Sequence, residues 1–385
     1  MKTKQFLYLL GLLINLLLFY ECADKQFIEI PDKTDMTTSG TISGIVSNST
    51  NITPCGLAQR TDGKYIIVYG DANNGLKSVN MNGNQIVNSS LVSYNVGQVV
   101  INSSKLTPDN NILLIGNNKT NDSVFVGLIK TETQALEWNY KIASPTASPA
   151  IGQDIVAQSP NIFYAVVSNA PNKPFVIVIN PNEQKKEVIS IDSMFKNRVF
   201  TPSSITSLPD GSITIVGNCN GVLSKYYYTR LKYLNQQTWY FYNSTEDSII
   251  AKVTIDNSFK IKVHRLYEDQ LIYVSTFGAG HLFGPEPSHI EDIPYSDASI
   301  NSDSTVYLCG NNAVVAGNQL VVRKVNLEMQ DRLPVKRISN ITLALKAHKI
   351  MRSTDGGYLL LATATQTGSN TSLYIVKADK DGTIQ

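Results

Sequence analysis

Two fragments near opposite ends of the chain repeat one pattern: Thr61-Asp62-Gly63-Lys64-Tyr65-Ile66-Ile67-Val68 and Thr354-Asp355-Gly356-Gly357-Tyr358-Leu359-Leu360-Leu361. Each joins a turn-forming dipeptide to an apolar, β-prone run. Between them the turn-then-strand pattern returns about every 50 residues, at Asp109-Asn110, Pro160-Asn161, Asp210-Gly211, Asp256-Asn257 and Asp303-Ser304. A period of that size marks a repeat architecture, which narrows the fold before any catalytic motif is considered.

A second landmark follows in phase with the first. Strands end in turns at Val79-Asn80-Met81-Asn82-Gly83, Ile179-Asn180-Pro181-Asn182, Val325-Asn326-Leu327-Glu328 and Lys377-Ala378-Asp379-Lys380-Asp381-Gly382. Each unit therefore holds about four short strands in two hairpins. Seven units over residues 40–385 predict an all-β chain, a seven-bladed β-propeller of four-stranded antiparallel blades. A lone blade leaves its apolar faces uncovered, so neighbours must stack. Trp138 and Trp239 fall at matching places in two of the repeats and are expected to wedge between blades. The last unit lacks a fourth strand before Gln385, and Thr41-Ile42-Ser43-Gly44-Ile45-Val46 has the character to replace it. An N-terminal strand closing the last blade would remove a free edge.

The N-terminus carries an address. Lys2 and Lys4 precede an apolar stretch from Phe6 to Tyr20, which reads as a signal peptide over residues 1–21. Cys22 follows at the position where bacterial lipoproteins carry their acylated cysteine, although Tyr20-Glu21 stand where such sequences favour small residues. Residues 22–39 then read as a lipid-anchored tether, with ordinary cleavage or an uncleaved anchor as alternatives. Cys55, Cys219 and Cys309 show no metal-site spacing and each lies in or beside an apolar run, so they are expected to be buried.

Asp355-Gly356-Gly357-Tyr358, followed by Ile375-Val376-Lys377-Ala378-Asp379-Lys380-Asp381-Gly382, resembles a family of repeat propellers common in secreted proteins and lipoproteins of Bacteroidetes-type bacteria. The first and last repeats carry the resemblance and the middle five follow it in outline. It implies the fold and a bacterial cell-envelope location, outer-membrane-anchored or extracellular. It implies no defined activity, because such scaffolds host many.

Two places stand out for chemistry. The loops joining second and third strands are rich in amides: Asn73 and Asn74, Asn117, Asn118 and Asn121, Asn169 and Asn172, Asn218 and Asn220, Asn311 and Asn312. A ring of amides on one face can hydrogen-bond a glycan or a peptide backbone, and Asn and Gly also simply make turns. The second place is Gly278 to Ser299, which reads as an inserted loop near 278–299 in the fifth unit. It holds His281, Glu286, His289, Glu291 and Asp292, residue types that bind metals. Their spacing fits neither HExxH nor a helical pair, so no metal is assigned.

No GxSxG elbow, phosphate-binding loop or dinucleotide fingerprint is present. A net charge of +2 without a basic run argues against nucleic acid as a partner. The sequence thus predicts a non-catalytic cell-envelope lipoprotein without a cofactor. It would meet the membrane through its lipid and bind a protein or glycan partner. An envelope hydrolase or lyase using the 278–299 segment and a structural subunit of an envelope assembly are the alternatives.

Overall fold

The computed structural model describes residues 51–384 except 74, 84, 146–147, 170–172, 192–199, 208–212, 220–221, 231–236, 243–261, 268–269, 276–277, 282–292, 302–304, 313–318, 327–331, 334, 340–342 and 367–370. Among the described residues, the strands form antiparallel sheets that follow one another along the chain. The first sheet is β1 (Thr53–Gln59), β2 (Tyr65–Gly70), β3 (Leu76–Asn82) and β4 (Gln85–Ser93). The second is β5 (Val99–Leu106), β6 (Ile112–Asn118), β7 (Val124–Ile129) and β8 (Leu136–Ile142). The third is β9 (Ala150–Ser159), β10 (Ile162–Asn169), β11 (Phe175–Asn180) and β12 (Lys185–Ser190). The fourth is β13 (Phe200–Ser207), β14 (Ile213–Cys219), β15 (Val222–Arg230) and β16 (Gln237–Tyr242). The fifth has three described strands, β17 (Lys262–Tyr267), β18 (Gln270–Ser275) and β19 (Gly278–His281). The sixth is β20 (Tyr295–Ile300), β21 (Val306–Asn312), β22 (Gln319–Val325) and β23 (Lys336–Ile338). The seventh has β24 (Leu343–Arg352), β25 (Tyr358–Gln366) and β26 (Thr371–Ala378).

The turns at Asp62-Gly63, Asp109-Asn110, Pro160-Asn161 and Asp355-Gly356 lie between the first two strands of their sheets, as their sequence predicts. Gly63 (φ 80°), Asn110 (φ 59°) and Gly356 (φ 87°) take the left-handed backbone that glycine and asparagine tolerate. In the fifth unit the described strands begin at β17, and Asp256-Asn257, like Asp210-Gly211 and Asp303-Ser304, falls outside the described residues. The 278–299 segment is not wholly loop. Gly278–His281 pairs with β18, and Tyr295–Ile300 is the first strand of the sixth sheet. Glycine's poor strand propensity hid β19, and pairing with an apolar neighbour overrides it.

Strand alternation buries one apolar set on each side of a sheet, and adjacent sheets share those sets. Ile66, Val68 and Leu76 of the first sheet pack with Ile112, Leu114 and Phe125 of the second. The second and third share Leu113, Ile115, Phe163 and Ile177, with Trp138 against Phe163 at a ring distance of 5.0 Å. That contact is the wedge expected of Trp138; the Trp239 side chain lies outside the described groups. Tyr164 and Val176 of the third meet Ile205 and Ile215 of the fourth. The sixth and seventh share Tyr307, Leu320, Tyr358 and Leu360. Leu359, Leu361 and Ile375 of the seventh pack with Leu57, Tyr65 and Ile67 of the first.

The first strand of six sheets carries a β-bulge at a matching place. The bulged residues are Cys55, Asn102, Gln153, Ser203, Ser296 and His348. A bulge bends the strand, increases its twist and leaves backbone groups without ladder partners. Those groups are where one sheet is tied to the next.

Candidate functional site

The residue just after each bulge is Gly56, Ser103, Asp154, Ser204, Asp297 or Lys349, six positions before the repeating sequence landmarks Asp62, Asp109, Pro160, Asp210, Asp303 and Asp355. Asp154 is 1% exposed and joins three sheets. Its carboxylate accepts from Ser103 Oγ (2.7 Å) and pairs with Lys105 Nζ (2.6 Å) in the second sheet. In the fourth sheet it accepts from Ser204 Oγ and from Ile205 N–H (2.9 Å). Burial alone would push this carboxyl up, but the Lys105 ammonium and the donated hydrogen bonds outweigh that and hold it below its ordinary value.

Asp297 repeats the arrangement. It accepts Ile350 N–H (3.2 Å), and Ile350 stands two residues past a bulge as Ile205 does. Lys349 Nζ lies 3.7 Å from Asp297 and donates to Ser104 O (3.0 Å). That bond runs from the seventh sheet to the second, past the first, where the matching residue is Gly56 and has no side chain. A cavity of about 230 Å³ among β1, β5, β20 and β24 is lined by Ser104, Lys105, Asp297, Ser299, Lys349 and Met351. Its ionic groups bond strand to strand and so serve first as a clasp.

The amide positions divide by role. Asn117 Nδ2 donates to Ala150 O, and Asn311 Nδ2 to Leu345 O (2.9 Å), in both cases the residue three before the next sheet's bulge. Asn311 Oδ1 also accepts Ala347 N–H (2.8 Å). The glycine before each lies close against the first strand of its own sheet: a Cβ at Gly116 would collide with Val100 O, and one at Gly310 with Pro294 O. Asn118 is buried and accepts from Thr120 N–H (2.9 Å), and Asn169 is buried with its amide donating to Ser144. Asn73 and Asn121 are exposed in the loops after β2 and β6. Asn312 is half-buried in β21, and Asn218 is placed by its backbone in β14. Asn74, Asn172 and Asn220 lie outside the described residues, as do Glu286, His289, Glu291 and Asp292; His281 is placed by backbone alone. The residues from Cys22 to Val46 also lie outside them.

Cys55 and Cys309 are buried, in keeping with their apolar setting, and Cys219 is placed by its backbone alone. Burial pushes the Cys55 thiol up to about 12, with Lys349 pulling the other way.

A separate cleft of about 340 Å³ opens at the end of the strands that bears the loops of Asn73 and Asn121. Asn51, Thr53, Lys346, His348, Thr363 and Thr371 bound it. His348 Nε2 and Thr363 Oγ1 share a hydrogen bond of 3.0 Å, and Thr365 and Thr371 hydroxyls one of 3.1 Å. His348 reaches the cleft because it is the bulged residue of β24, which turns its side chain out of the ordinary alternation. Sequence reading missed it because a bulge has no composition of its own.

No family model matches the chain, and no curated protein matches it. Among solved structures it is similar to AofleA from Arthrobotrys oligospora, at 10% identity and TM-score 0.47, over 90% of this chain and 86% of that one. It is also similar to the β-propeller domain of the Trilobed protease from Pyrococcus furiosus, at 11% identity and TM-score 0.47, over 85% of this chain and 95% of that one. The WD40 domain of SCAP from fission yeast matches at 9% identity and TM-score 0.41, over 87% and 89%. The chain is all-β with several four-stranded antiparallel sheets, and β-propellers are among its structural neighbours. These likenesses extend to no activity or ligand.

Proposed function

We propose that this protein is a non-catalytic, lipid-anchored β-propeller of a bacterial cell envelope that binds a protein or glycan partner. The observation that carries the binding reading is the use of the inner-strand charges. Asp154, Lys105, Asp297 and Lys349 are spent on bonds between strands, which leaves recognition to the loops and clefts at the strand ends. Loops on a rigid scaffold are where repeat propellers place binding groups.

In this reading the seven sheets are blades of one ring, closed by the N-terminal segment as outermost strand of the last blade. One contact supports that closure: Ile52 N–H donates to Thr371 O (3.4 Å), so chain arriving from the N-terminus meets the start of β26. Gln59 supports the same seam from the turns: its Oε1 accepts Thr354 N–H (2.8 Å) and its Nε2 donates to Thr354 Oγ1 (3.2 Å). The two fragments that echo each other in sequence are also packed neighbours, Tyr65 and Ile67 against Leu359 and Leu361.

Acyl chains on Cys22 would hold the protein at a membrane with about 0.8 kcal/mol for each buried CH₂. Cells fed radiolabelled palmitate are expected to label the chain and to leave Cys22→Ala unlabelled; equal labelling of both would remove the anchor from this account. The mature chain is expected to capture a discrete partner from solubilised native envelope, and capture of none would overturn the binding reading.

A further inference from the structure

We infer that the cleft beside His348 binds the carboxylate of an acidic glycan. Two cationic or cation-forming side chains, Lys346 and His348, face a space whose polar lining is completed by Asn51, Thr53 and three threonines of β25 and β26, with Ile52, Ala344 and Leu345 as its apolar part, and no Asp or Glu lines it among the described residues. An ammonium with hydroxyl donors and no competing carboxylate selects an anion, and charge-assisted hydrogen bonds give it most of its strength. Hydroxyl and amide groups can give and accept hydrogen bonds, which matches the neighbouring hydroxyls of a sugar ring, and the apolar side chains can cover the ring's C–H face. The volume of about 340 Å³ suits one or two sugar residues.

The local structure holds these groups in place. The bulge in β24 sets His348, and Thr363 on β25 hydrogen-bonds its ring, so one side of the cleft is fixed by strand pairing. Lys346 is exposed on the same strand and free of a structural role in the core. The central cavity is the weaker candidate because its lysines already tie sheets together.

The inference rests on the partner-binding reading and narrows it to one ligand class. Calorimetric titration of the detergent-solubilised full chain with trigalacturonate tests it. The expected result is binding that weakens at least about tenfold with the methyl-esterified trimer and with Lys346→Gln, the loss of one charge-assisted contact. His348→Gln, similar in length and polar, is expected to weaken it as well. Absence of binding by the wild type, undiminished binding by Lys346→Gln of unchanged circular dichroism, or equal binding of a triglutamate peptide would each overturn the proposal. An envelope partner captured equally by wild type and Lys346→Gln would overturn the role of the cleft alone and leave the binding reading intact.

Discussion

Asp154→Ala is expected to destabilise the protein by about 3–5 kcal/mol, because it leaves the Lys105 ammonium without its buried counter-ion. For a chain of this size that is a fall in Tm of about 4–6 °C, read by calorimetry, and a matching shift in urea titration. The carboxylate also holds Ser103, Ser204 and Ile205 N–H, so its loss removes ties to two sheets at once. Asp154→Asn keeps an acceptor oxygen without the charge and should recover part of the loss. The pH dependence has a definite sign. The folded-state carboxyl is held below its ordinary 3.8, so its stabilisation is present above that value and is lost as pH falls through the folded-state pKa. Wild type should weaken in that acid window through Asp154, and Asp154→Ala should lack this component. A change of less than 1 kcal/mol in Asp154→Ala would show that the clasp is not structural.

Gly116→Ala is expected to cost about 2–3 kcal/mol through overpacking, with Gly310→Ala similar. At both positions the added methyl group would meet backbone of the paired inner strand, Val100 and Ile101 in one case, Pro294 and Tyr295 in the other. Backbone held in a ladder on both sides has little room to yield. Gly70→Ala provides the control, because nothing lies within 4 Å of its Cβ position and the change should stay within about 0.5 kcal/mol. Equal behaviour of all three variants in urea unfolding would contradict the reading of Gly116 and Gly310 as close-approach residues.

The turn dipeptides were legible because each is local: Asp62-Gly63, Asp109-Asn110 and Asp355-Gly356 specify backbone that few residues adopt. The positions that join sheets were not, although they stand at a fixed distance before those turns. Asp154 and Asp297 find their partners about 50 residues away, across a seam that no local pattern encodes. The Gly-Asn pairs show the same limit. Gly116-Asn117 and Gly310-Asn311 look like turn formers or a ring of ligand-binding amides, yet they lie in strands and bond to the next sheet. Composition identifies an amide without showing which way it points. In the fifth unit Asp256-Asn257 keeps the period of the sequence and lies outside the described residues, whose strands there begin at Lys262.

Ring closure is the premise on which the binding faces depend, and backbone amide exchange over residues 40–47 of the mature chain tests it most directly. Those amides are expected to be protected about as well as those of β26, and β26 to lose protection when the chain is shortened to begin at Asn51. Exchange across residues 40–47 at the rate of unstructured chain, with β26 indifferent to the truncation, would contradict it.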